Sequence, residues 1–213
     1  MIDPEAMRRL LSGQKPGASA QLRAALDDLP AAVRDTWLDS VLGLESLPDD
    51  GPELPRGCVP YMPCPLDLLL QVIDDAGVGE GDVFVDVGSG VGRATVLTHY
   101  LTGAGAIGIE IQRALVQISR ELTSAMNISR VKTIEGDAAE IAKFIQIGTV
   151  FFLYCPFSDA RLGRLLDDLE DIARTRPIRV CCIHLPAIQR PWLEVMAAPS
   201  AELMIYRSVH GAV

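Results

Sequence analysis

The chain has 213 residues, of which 49% are hydrophobic and 22% charged, a composition that excludes a disordered or fibrous protein. That length closes one sizeable core and leaves room for an appendage. Lysine and arginine total 19 against 28 aspartates and glutamates, for a formal charge of -9. Most nucleic-acid binders present a basic face to phosphates, so the charge argues against a nucleic-acid partner.

Five cysteines (Cys58, Cys64, Cys155, Cys181 and Cys182) form an odd number without repeated spacing, beside only three histidines. No metal site is expected from them, and reduced thiols of a cytoplasmic protein are. The start, Met1 to Glu5, lacks the basic residues and apolar run of a signal peptide. No run of about 18 apolar residues occurs, so a soluble chain without a membrane partner is expected.

Taken in order, residues 1–47 predict short helices. Leu22, Ala25, Leu26 and Leu29 recur at helical spacing, and Trp37, Val41, Leu42 and Leu44 suggest a second helix. Residues 47–57 are too rich in proline and glycine for regular structure. Pro60, Pro63 and Pro65 make Tyr61–Pro65 an extended approach segment.

From Leu66 the pattern alternates between helix and strand. Helices are predicted over 66–76, 94–101, 112–126 and 162–174. Strands are predicted over 83–87, 105–110, 131–135, 149–154 and 179–184. Residues 192–196 and 202–209 predict a closing hairpin around Pro199 and Ser200. The expected fold is α/β: a doubly wound, mostly parallel seven-stranded sheet with an N-terminal helical extension. Residues 1–57 are expected to fold back as a helical cap, with Tyr61 at the pocket entrance, and residues 58–213 to form the ligand-binding domain.

Ligands of such sheets bind beyond the carboxyl ends of the strands. There the chain reads Asp86-Val-Gly-Ser-Gly-Val-Gly-Arg93. Its glycines permit close approach of backbone to ligand, and the next helix begins directly after them. A dinucleotide fingerprint needs G-x-G-x-x-G, but its third glycine position falls on Arg93. An acid at Asp86 would meet a pyrophosphate with negative charge, whereas it suits a ligand with an ammonium group. S-adenosylmethionine has one. Glu110 ends the second strand, where a carboxylate can accept both ribose hydroxyls, and dinucleotide enzymes place an acid similarly. Asp137, in Glu135-Gly-Asp137, can accept a hydrogen bond from an adenine amino group.

The glycine loop, Gly108-Ile-Glu110 and Glu135-Gly-Asp137 resemble the cofactor motifs of class I S-adenosylmethionine-dependent methyltransferases over about residues 58–209. The D-x-G-S-G-x-G form is especially similar to methyltransferases of the disruptor-of-telomeric-silencing type, which act on histone lysine. The resemblance implies a Rossmann-like methyltransferase fold, S-adenosylmethionine as cofactor and methyl transfer as activity. It implies that Gly88, Ser89 and Gly90 line the methionine part, Glu110 the ribose and Asp137 the adenine. With Tyr61, Asp86, Gly92, Ile111, Ala138, Tyr154 and Pro156 they form the expected cofactor-binding set. A departure comes after the fourth strand. Tyr154-Cys155-Pro156-Phe157 keeps the proline and the aromatic residue but lacks the preceding amide or carboxylate that accepts from an amine. That loss argues against a nitrogen acceptor of the histone kind.

His184, at the end of the fifth strand, and Tyr154 are the candidates for acid–base work. Cys155 reads as a pocket wall, since methyl transfer needs no thiol nucleophile. Arg93 reads equally as an ion pair or a ligand contact, and His99 and His210 as structural or solvated. The expected acceptor is a small molecule or a protein side chain. A non-catalytic S-adenosylmethionine-binding module and a dinucleotide-dependent oxidoreductase are the alternatives.

Overall fold

Runs of β-branched and aromatic residues become the strands β1 (Val83–Val87), β2 (Gly105–Glu110), β3 (Val131–Glu135), β4 (Val150–Tyr154) and β5 (Arg179–Ile183), with a terminal hairpin of β6 (Leu193–Ala197) and β7 (Leu203–Ser208). The computed structural model describes residues 3–46, 60–157 and 159–209. Its single seven-stranded sheet has the order β3-β2-β1-β4-β5-β7-β6. The first five strands pair in parallel, and β7 runs antiparallel between β5 and β6. The winding reverses between β1 and β4, so a crevice is expected at their carboxyl ends.

Side-chain alternation along the central strands divides the core into two layers. Phe84, Phe152, Cys181 and Ile183 face one layer, built with the helices α4 (Leu66–Asp75), α5 (Arg93–Thr102) and α6 (Arg113–Ala125). Val85, Val87, Phe151, Leu153 and Cys182 face the other, against α7 (Ala138–Ile141) and α8 (Asp159–Ala173). The neighbouring Cys181 and Cys182 therefore point to opposite faces. Burial pushes both thiols up, that of Cys181 to about 12, so they are inert core residues.

The N-terminal segment contains three helices where the apolar spacing suggests two: α1 (Pro4–Ser12), α2 (Ala18–Asp28) and α3 (Ala31–Leu42). The signals for α1 are present in the chain. Asp3 accepts a hydrogen bond from Ala6 N at 2.9 Å, Pro4 opens the helix, and Met7 and Leu11 bury one face. Met7, Leu22, Leu26, Leu38 and Val41 are fully buried in the same layer as α4 and α5. These helices thus thicken one face of the sheet and share its core. Among the described residues, none of 3–46 lines the crevice at the strand ends, which departs from the expected cap. The linker at 47–59 lies outside the described residues, as do Cys58 and His210.

Three further differences from the sequence reading concern short pieces. The four-residue α7 and the 3₁₀ turn Ala142–Phe144 are too short for periodicity to reveal. Helix α8 begins at Asp159, and β5 ends at Ile183, leaving His184 outside the strand with φ +54°. No helix of the described residues is long and apolar enough to cross a membrane.

Candidate active site

The glycine loop between β1 and α5 is fixed by hydrogen bonds to β2. Gly88 N and Ser89 N donate to Ile109 O at 2.9 and 3.0 Å. The Glu110 carboxylate then accepts from Gly90 N at 2.8 Å and from Gln112 N at 2.7 Å, clamping the loop to the start of α6. A carboxylate offers about four lone-pair positions, so two remain for a ligand's hydroxyls.

A crevice opens at these strand ends. Its walls include Tyr61, Gly88, Glu110, Ile111, Asp137, Ala138, Tyr154 and Pro156, all named among the candidate residues. Beside it lies a smaller chamber that shares Tyr61, Gly88 and Tyr154 and adds Asp86, Ser89, Cys64 and Arg93. The Tyr61 ring lies on the glycine loop, 2.0 Å from where a Cβ on Gly90 would stand.

Two polar groups in the smaller chamber lack protein partners among the described residues. Ser89 Oγ is buried with no hydrogen bond. The Asp86 side chain, on a residue 4% exposed, makes none either, and burial followed by the nearby Glu110 charge pushes its carboxyl up to about 8. A group whose folded value is raised stabilises the fold fully below its unfolded value near 4 and loses that contribution as pH rises towards 8. Unfolding in urea should accordingly become easier between pH 5 and pH 8. Asp86→Asn should flatten that trend, and an unchanged slope in the variant would remove Asp86 as its source.

Arg93 resolves as a structural ion pair. Its guanidinium, 5% exposed, reaches Asp35 at 2.6 Å and Asp39 at 2.7 Å in α3 and donates to Cys64 O at 2.8 Å. It joins the N-terminal helices to the approach segment. Gly92 lines neither chamber, contrary to expectation. A Cβ there would meet Ser119 Oγ at 2.3 Å, so this glycine serves the packing of α5 on α6. His184 does not line the crevice either. It is exposed, with its ring tilted against that of Tyr154 at a centroid distance of 5.8 Å. His99 bonds to Ala104 O at 2.8 Å and is structural.

Wall residues absent from the sequence reading of the pocket include Phe157 and Arg161. Arg161 lies over the Phe157 ring at 5.3 Å and pairs with Asp137 at 2.5 Å.

The sequence matches the model of the family described as "Histone methylation protein DOT1" over residues 61–144, less than half of the chain. That span contains Tyr61, the glycine loop, Glu110 and Asp137, and stops before the turn that follows β4. No curated protein matches the sequence. Among solved structures, an RNA methyltransferase from Salinibacter ruber in complex with S-adenosyl-L-homocysteine is 24% identical, with a TM-score of 0.50 over 69% of this chain and 92% of that one. A methyltransferase from Geobacter sulfurreducens is 16% identical, with a TM-score of 0.54 over 89% and 98%. A precorrin-6y C5,15-methyltransferase from Geobacter metallireducens is 13% identical, with a TM-score of 0.50 over 60% and 68%. The chain has the fold of the class I S-adenosylmethionine-dependent methyltransferases, and its residues 61–144, which include the glycine loop, match the histone-methylation family model. Within that class the histone-methylation type is what its cofactor half resembles, and its β4 turn lies outside the matched residues.

Proposed function

We propose that the protein binds S-adenosylmethionine in the crevice and its side chamber, and transfers the methyl group to a small molecule or a protein side chain. The observation that carries this reading is the pair of unpartnered groups, Asp86 and Ser89, beside a loop whose clamp, Glu110, retains accepting capacity. Asp86 fits the ammonium of an amino-acid end, Glu110 the ribose hydroxyls, and Asp137 with Ala138 the adenine. When bound, the cofactor supplies a sulfonium-activated methyl group that a nucleophile attacks in line. The protein's share is then orientation and exclusion of water. Tyr61 covers the glycine loop, and Tyr154 and Pro156 face the crevice from the end of β4. Burial raises the Tyr154 phenol, so it acts as a neutral hydroxyl that orients an acceptor and takes no proton.

The turn Tyr154–Phe157 and the charge of -9 support an acceptor other than RNA or a histone tail. The cysteines described, all free thiols, fit a cytoplasmic location. Calorimetry decides the cofactor. S-adenosylhomocysteine should bind, NAD should not, and Glu110→Ala should weaken binding by roughly 1–3 kcal/mol. NAD heat without S-adenosylhomocysteine heat would sink the assignment in favour of an oxidoreductase. Transfer of labelled methyl to a component of cell extracts separates an enzyme from a regulatory binding module.

A further inference from the structure

We propose that Arg161 is a positioning residue that makes the crevice selective for adenine, by holding the Asp137 carboxylate in one orientation. This inference rests on the cofactor reading above and assigns a role to a side chain outside it. Asp137 Oδ1 accepts from Ala139 N at 3.0 Å and from Arg161 Nη2 at 2.5 Å. Among the described residues Oδ2 has no hydrogen-bond partner, and Asp137 lines the crevice. One oxygen is thus engaged by the protein and the other is left to a ligand.

The arrangement is stiff. Arg161 and Asp137 have side chains only 15% and 18% exposed, and the guanidinium lies against the buried Phe157 ring. A carboxylate held this way is a fixed acceptor. It matches the 6-amino group of adenine, a donor, and opposes the 6-oxo group of hypoxanthine, an acceptor. Without Arg161 only the Ala139 N–H would restrain it. The carboxylate could then rotate, and that change removes the distinction between the two bases. A site built around a hydrogen bond discriminates through the group left unpaired when the wrong ligand enters.

The experiment compares S-adenosylhomocysteine with S-inosylhomocysteine, binding each to the full chain by calorimetry. The wild type should prefer the adenine compound by about tenfold or more. Arg161→Gln should reduce that preference to near unity, chiefly by weakening the adenine compound, and Arg161→Lys should restore part of it. Asp137→Asn should lose the preference too, and the double variant should lose no more than Asp137→Asn alone. Thermal melts of each variant verify that the fold persists. If Arg161→Gln weakens both compounds equally, or neither, the positioning role is overturned while the cofactor reading stands. If the wild type binds neither compound, the cofactor reading fails and this inference falls with it.

Discussion

Gly90→Ala should weaken S-adenosylhomocysteine binding by about a hundredfold. Gly90 sits at φ +52°, a left-handed conformation that costs a residue with a Cβ about 1–2 kcal/mol. The added methyl would also stand 2.0 Å from Tyr61 Cε2 and 2.3 Å from Cδ2. Two responses are open to the protein. The Tyr61 ring can swing away, which opens the crevice on the side it covers. Alternatively the loop can retreat, which breaks the Gly90 N–Glu110 bond and releases the clamp on the ribose side. Either response reaches the binding site, and each 1.4 kcal/mol is tenfold in affinity. Pairing the substitution with Tyr61→Ala tells them apart. A double variant that binds better than Gly90→Ala alone locates the conflict at the ring; one that binds no better locates it in the loop. Unchanged affinity in Gly90→Ala would show that neither contact matters to the ligand.

The same loop shows how far the sequence was readable. Strand positions followed from short apolar runs bounded by turn residues, because a parallel strand buried on both faces is apolar nearly throughout. The three acids at successive strand ends were legible for the same reason: once the strands are placed, Asp86, Glu110 and Asp137 must share one edge. What each acid does in the ligand-free protein was not legible. Glu110 holds two backbone N–H groups and Asp137 holds Arg161, contacts set by loop conformation and by a helix start that leaves no periodic trace. Gly92 looked like a ligand contact because it stands in the motif, yet its neighbour Ser119 comes from a helix beyond β2. His184 looked catalytic from its place at a strand end. One residue beyond the strand, in a left-handed conformation, it is exposed beside the Tyr154 ring and lines neither chamber. The N-terminal helices were legible as helices from apolar spacing, but spacing cannot say which face of a sheet they will cover.

That last question turns on Arg93, whose replacement by methionine should cost about 3 kcal/mol of stability. Removing one partner of a buried ion pair costs roughly 3–5 kcal/mol, because the other charge is left uncompensated. The low end applies here, since Asp35 and Asp39 have side chains 48% and 29% exposed and water screens part of the loss. The consequence is wider than one pair. Asp35 Oδ1 also accepts from Leu66 N at 3.1 Å, so a single carboxylate ties α3 to the first residue of α4 and to the first residue of α5. Arg93 further holds Cys64 O, three residues from Tyr61. Arg93→Met should therefore lower the urea midpoint and also weaken S-adenosylhomocysteine binding, although no residue of α1 to α3 touches the crevice. Asp39→Asn removes one ion pair and leaves the Asp35 bridge, so it should cost less on both counts. If Arg93→Met unfolds at the wild-type urea concentration, the Arg93 bridges contribute nothing to holding the N-terminal helices, which are then held by their apolar contacts and by pairs such as Arg23–Asp74 and Arg34–Asp67. If it is destabilised but binds with wild-type affinity, Arg93 anchors those helices without supporting the Tyr61 segment.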